Sequence, residues 1–500
     1  MKTVDKFIKG FNSDYLIKVI SQFFRIPLQF LIQGLLIRIL GISSYGSFEY
    51  LNDLGVKITG FIDNGISQAY YNRLSRGRFY TKINSAYLLI FFFLLITYSL
   101  LVIVILNTEL RDVILPNIPL KGPLGFILIG ISTFMITNSF KIYDALNQTK
   151  QGEVLKNITL TTTAILLVIL LKSNHTDDDL DSVIIIYSLS QISISIIMVV
   201  RLQRVINHFR FVVDRFKNIK KILYHFILFS SPLFYYNFVG LLLGLGERWL
   251  IQYYSGSLDQ AYYSIGLKLN GISLLITTSV LPLFVRKMNK LDLLQKEEGL
   301  IKKAQYFINS TRVFSTITAI IGFLTLFNLD FILNLLNVEK VPVIYQIIIL
   351  FYPVAILQTI GQINTSYFYS SNRTKIYAKW MILLMLTSIV LNIWLVVPER
   401  YFGLNLGSRG IIIQLIITQV LSTIIFTYIN TRHLNLADRK YLIIKNFISP
   451  FCICIVGIII SNYSYLMDIP YYVRLMLSII LILVLLFWFS KQFDKLLTYE

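Results

Sequence analysis

Fourteen apolar runs of about twenty residues each, divided by short polar stretches, fill this chain of 500 residues. About twenty residues of helix cross a hydrocarbon core about 30 Å thick. Backbone N–H and C=O groups in lipid have no water to bond, so only helices and closed barrels cross it. A barrel strand alternates over about ten residues, and no such segment occurs here. The expected class is therefore all-α integral membrane, with about 14 transmembrane helices. The runs cover 14–40, 45–72, 83–106, 122–146, 154–172, 182–205, 223–252, 258–285, 304–327, 342–368, 376–397, 408–430, 441–461 and 471–490. The loops between them leave no room for a soluble catalytic domain.

The distribution of cations sets an expected orientation. The termini and alternate loops on one side carry 33 Lys and Arg, and the loops on the other side carry 6. By the positive-inside rule the first side, with both termini, is cytoplasmic. Placement in short loops also explains the net charge of +20 without nucleic acid as a partner. The first apolar run is too long for a cleavable signal and lacks a small-residue cleavage site. Cys452 and Cys454 offer neither a disulfide framework nor a metal motif, so no cofactor and no metal are expected. The stretch "YGSFEYLNDLGVKITG" opens the second span and "AYYSIGLKLNGISLL" lies in the eighth. They lie six spans apart, which suggests a parallel repeat about an axis along the membrane normal. The expected organisation is an N-lobe at 1–207, a basic linker at 208–222, a C-lobe at 223–432 and a C-terminal helix pair at 433–500.

Charge inside the spans marks the candidate site, because an Arg at the bilayer centre costs about 2.5–3.5 kcal/mol on insertion scales. On the first span Lys18, Gln22, Arg25, Gln29 and Gln33 fall on one helical face. Arg25 lies near mid-depth, Arg38 toward the outer end, and Pro27 predicts a bend. On the second span Glu49, Asp53 and Lys57 are four apart, with Asp63 deeper. An intrahelical Asp53–Lys57 pair is the alternative reading there. The seventh span ends with Glu247 and Arg248, where Arg248 either faces the site or snorkels. The eighth holds Lys268 and Asn270, and the tenth a polar patch including Gln358 and Gln362. Arg312 reads as a snorkelling residue. An excess of cations suits a polyanion, since guanidinium and ammonium groups replace the water around phosphate oxygens. Arg25, Lys57, Lys268, Gln22, Gln29, Arg38, Arg248, Asn270 and Gln362 are the candidate substrate-binding residues. Asp53, Asp63 and Glu49 are the candidates for ion coupling.

"LGISSYGSFEYLNDLGVKITGFIDNGISQAYYNRLSRG" resembles the region after the first helix of Wzx-type polysaccharide flippases. Leu40, Gly41, Tyr45, Gly46, Phe48, Asp63, Gly65 and Ser67 carry the likeness, with Asn64 in place of the usual apolar residue. "ERWLIQYYSGSLDQAYYSIGLKLNG" is similar to a second family segment, with Glu247 for Asp and Tyr262 for Gly. "LNIWLVVPERYFGLNLGSRGIIIQLI" is similar to a third through Pro398, Tyr401, Gly403 and Gly410. The resemblance implies the multidrug/oligosaccharidyl-lipid/polysaccharide exporter fold, in which two six-helix lobes form a V around a central cavity. It implies a substrate in which a polyprenyl diphosphate carries an oligosaccharide, moved across the bacterial cytoplasmic membrane by alternating access. Implied partners are membrane lipids and the glycan polymerase and glycosyltransferases of the same pathway.

Two other transporters fit the same pattern, a cation-coupled multidrug antiporter and a lipid II flippase. The antiporter would make buried acids the main feature. A membrane-embedded polymerase or acyltransferase would need an acid/base constellation. His175, His208, His225 and His433 lie near span ends, with no spacing that joins two of them in one site. The reading is a transporter, not an enzyme.

Overall fold

The computed structural model describes residues 13–63, 80–116, 123–145, 148–172, 180–205, 234–291, 296–338, 341–371, 373–431 and 450–456, with a few isolated positions between them. Among them the chain is helical and has no strand. The elements are α1 (Ser13–Asp63), α2 (Tyr80–Leu106), the short α3 (Leu110–Ile114), α4 (Pro123–Ala145), α5 (Thr149–Lys172), α6 (Leu180–Val205), α7 (Phe234–Tyr254), α8 (Gly256–Leu291), α9 (Lys296–Phe327), the short α10 (Leu329–Leu335), α11 (Pro342–Ser370), α12 (Thr374–Val396) and α13 (Gly407–Asn430). A 3₁₀ turn, Glu399–Tyr401, joins the last two. Seven helices among the described residues are long and apolar enough to cross a membrane, and two more carry shorter apolar stretches. The linker at 208–222 and most of the two C-terminal spans lie outside the described residues.

The first two spans form α1, broken at Gly41, its one residue with non-helical dihedrals (φ 70°, ψ 164°). Positive φ with ψ near 180° is essentially a glycine conformation and costs an L-residue with a Cβ about 1–3 kcal/mol. Pro27 keeps helical dihedrals, and the break between the two arms falls at Gly41. The arm up to Leu40 is α1a and the arm from Ile42 is α1b.

Packing is that of a membrane interior. Phe92, Phe93, Ile96 and Leu100 of α2 are exposed, while Ser132, Ser195, Thr318 and Asn364 are fully buried. Lipid is as apolar as leucine, so hydrophobicity does not draw spanning helices together; small and polar side chains bring them close. The chain divides into two compact units, residues 20–261 and residues 262–500 with 1–19. In the first, α4 packs on α2, α5 and α6. A Cβ added at Gly55 would meet Gly130 Cα at 3.3 Å, and one at Gly130 would meet the Tyr98 ring at 2.2 Å. The Tyr98 hydroxyl donates to the Phe126 carbonyl at 2.8 Å, which fixes α2 on α4.

In the second unit α11 packs on α9 and α13, and α12 on α13. Thr318 of α9 bonds Thr277 of α8 at 3.3 Å and Thr359 of α11 at 2.8 Å. This hydroxyl ladder joins three helices through one buried layer. Asn364 is bonded by Asn430 Nδ2 at 2.9 Å. An aromatic core of Phe284, Phe307, Phe314 and Tyr367 closes one end.

Candidate functional site

The seam between α1b and α7 in the first unit runs antiparallel over most of its length. At one end Phe61 contacts the rings of Phe234 and Phe238. At the other, Ser47 Oγ bonds Ser257 Oγ at 3.1 Å, just past α7. Gly46 lets Ser257 come this close: a Cβ there would sit 1.9 Å from the Ser257 carbonyl oxygen. Between these ends lies an ionic centre.

Asp53 and Lys57 are one turn apart on α1b, which places both on the face toward α7. Lys57 Nζ donates to Asp53 Oδ2 at 2.7 Å and to the Gly244 carbonyl at 2.5 Å. Arg248 Nε donates to the same Asp53 oxygen at 2.8 Å. Gly244 leaves room for this lysine, since a Cβ there would be 3.0 Å from Lys57 Cε. Arg248 is 6% exposed, and the side chains of Lys57 and Asp53 are about a quarter exposed. Two cations thus converge on one carboxylate and leave the triad one positive charge in excess. One turn away the buried Glu49 takes a hydrogen bond from the Tyr45 hydroxyl.

The segment around α3 covers the nearby turn of this seam. Tyr50 donates to the Ile114 carbonyl at 2.6 Å, Trp249 Nε1 to the Val113 carbonyl, and Gln252 Nε2 to the Pro116 carbonyl at 3.3 Å. Arg248 is therefore enclosed, which corrects the alternative that it snorkels at an outer edge. The Asp53–Lys57 pair of the other reading is present, with Arg248 added to it.

Arg25 makes a different set of contacts. Its Nη2 bonds the buried Glu153 at 2.7 Å, and Lys156 reaches the other oxygen of Glu153 at 3.1 Å. Lys156 also lies 4.6 Å from the Phe140 ring centroid. Ser21 and Asn157 bond each other beside this cluster. The sequence reading missed Glu153 because α5 begins at Thr149, five residues before the predicted start, and draws a loop acid into the helix. Lys303 is buried on α9 with Nζ 5.2 Å from the Tyr367 ring centroid.

Of the other candidates, Gln29 and Arg38 are exposed on α1a, and the Gln22 side chain lies outside the described residues. Asp63 caps local backbone, accepting from Ser67 N at 3.1 Å and Ser67 Oγ at 2.6 Å. Ser67 in turn bonds Tyr87, whose ring stacks on Tyr70. In the second unit Lys268 is half-buried and Asn270 Nδ2 donates to Gln358 Oε1 at 2.8 Å; Gln362 is half-buried on the same helix as Gln358. A cavity of about 20 Å³ beside Asn270, Ser273, Gly322 and Tyr352 has room for about one water. Arg312 is exposed, as a snorkelling residue would be. Among the described residues no group of His, Cys, Asp and Glu could hold a metal ion.

Several solved membrane transporters share this helical build. The chain is similar to the lipid II flippase MurJ in an inward closed conformation, with a TM-score of 0.61 at 14% identity, over 96% of this chain and 100% of that one. It is also similar to an inward-facing multidrug resistance MATE family transporter of the MOP superfamily (TM-score 0.59, 13% identity, 83% and 94% covered). A third likeness is to a MOP superfamily transporter from Pyrococcus furiosus, described as having a binding pocket of reverse polarity (TM-score 0.52, 12% identity, 84% and 94% covered). No protein-family model and no curated protein matches the sequence. What the chain shares with these structures is the fold of MOP superfamily transporters.

Proposed function

We propose that this protein moves a polyprenyl-diphosphate-linked oligosaccharide from the cytoplasmic to the outer leaflet of a bacterial cytoplasmic membrane, for O-antigen, capsule or a similar surface polysaccharide. Alternating access between lobes 1–207 and 223–432, with both termini cytoplasmic, is the mechanism we assign to it. Lys57 and Arg248 supply positive charge to the diphosphate, while the polyprenyl tail stays in lipid. The observation that supports the reading is the convergence of Lys57 and Arg248 in the seam between α1b and α7. Such a pair costs free energy to keep in lipid and is suited to phosphate oxygens. Glycosyltransferases would supply the substrate and a polymerase would consume the product.

The test is complementation in cells that lack the endogenous transporter. Lys57→Gln and Arg248→Gln should each abolish surface glycan while the protein still inserts in the membrane. Normal glycan in both variants would contradict the site. A multidrug antiporter is the second reading, favoured by Asp53, buried Glu49 and the likeness to MATE transporters. Drug sensitivity on deletion with unchanged glycan would favour it. Loss of cell-wall synthesis on deletion would point instead to lipid II as substrate.

A further inference from the structure

We infer that Asp53 is a resident counter-anion occupying the position of the substrate's phosphate, so that anion binding at Lys57 and Arg248 proceeds by exchange. The inference rests on the flippase reading and deepens it. Three features support it. Both cations meet the same oxygen, Oδ2; among the described residues Oδ1 takes no partner, and it is not enclosed as an orphaned buried atom. Arg248 reaches the carboxylate through Nε alone, not through the two-pronged geometry that arginine forms with carboxylates and phosphates. Lys57 is aimed by the Gly244 carbonyl, so it stays in place when the carboxylate leaves.

A carboxylate held by one oxygen at a partly exposed position is a replaceable ligand. A diphosphate brings more charge and more acceptor oxygens to the same donors. When it departs, Asp53 returns to Lys57 and Arg248. The bland alternative is that Asp53 only ties α1b to α7. The two differ in sign: a tie that is cut weakens any site built on it, whereas a displaced competitor strengthens binding.

The experiment measures binding of farnesyl diphosphate and of inorganic pyrophosphate to the purified full-length protein by titration calorimetry. Asp53→Asn should bind on the order of tenfold tighter than wild type, equivalent to about 1.4 kcal/mol, yet flip lipid more slowly. Asp53→Ser, which lacks the amide, should reproduce the gain and serves if the asparagine variant does not fold. The double variant Asp53→Asn/Arg248→Gln should lose it. A gain with farnesyl diphosphate supports exchange with a lipid headgroup; a gain with pyrophosphate alone supports exchange and assigns the site to a free anion. Wild-type binding that Arg248→Gln abolishes, with no gain in either Asp53 variant, would overturn the exchange and leave the flippase reading standing. No binding of either probe to any variant would overturn both.

Discussion

Substitution of Glu153 tests whether the cluster on α1a and α5 is structural. Its carboxylate, 4% exposed, accepts from Arg25 at 2.7 Å and from Lys156 at 3.1 Å. Glu153→Gln removes the one charge that separates the two cations. Breaking a buried pair from one side costs about 3–5 kcal/mol, because a charge is left uncompensated. Lys156, about a fifth exposed, relaxes toward water, so the lower figure, about 3 kcal/mol, applies. For a unit of this size a loss of 1 kcal/mol lowers Tm by about 2–4 °C, giving a fall of about 6–12 °C. The assay is thermal unfolding of the detergent-purified protein, followed with a thiol-reactive dye. The swap Arg25→Glu/Glu153→Arg keeps the number and sign of charges in the cluster and should recover at least half of the loss. A change below about 2 °C in Glu153→Gln, or a swap no better than the sum of its single substitutions, would refute the reasoning.

Other perturbations follow from local geometry. Gly46→Ala should lower Tm by several degrees because its Cβ meets rigid backbone, while Gly60→Ala, with nothing within 4 Å, should be neutral or stabilising by up to about 1 kcal/mol; equal effects in the two thermal scans would count against the seam. Gly41→Ala should cost about 1–3 kcal/mol through its positive φ with ψ near 180°, read as a lower Tm with helix content unchanged by circular dichroism. Thr318→Val should cost about 1 kcal/mol, and a double-mutant cycle with Thr359→Val should show coupling; strict additivity would contradict the hydroxyl ladder.

Hydropathy located helices well where lipid alone decides. The run 83–106 became Tyr80–Leu106, 122–146 became Pro123–Ala145, and 408–430 became Gly407–Asn430. Lipid requires apolar side chains over a full span, and that requirement is written directly in the chain. The periodicity of Asp53 and Lys57 was equally legible, because two residues four apart share a helical face whatever the tertiary structure. Their convergence with Arg248, 191 residues on from Lys57, was not legible, since it depends on which helix packs against that face. Arg25 shows the opposite case. Its position on α1a was clear, but its partner Glu153 stood among the cations of a loop and counted there only as a neighbour of Lys150 and Lys156. Glycines such as Gly46 and Gly130 gave no sequence signal beyond motif membership, because the atoms that forbid a Cβ come from other helices.

The most direct test of the central claim is flipping in proteoliposomes. A fluorescent polyprenyl diphosphate oligosaccharide is placed in both leaflets, and its outer fraction is bleached by a membrane-impermeant reductant in vesicles with and without the protein. The wild-type protein should expose nearly all of the lipid to the reductant, and Lys57→Gln/Arg248→Gln should leave about half protected, as in protein-free vesicles. Equal bleaching by wild type and by the double variant, at equal reconstitution, would contradict the claim that these two cations carry the diphosphate.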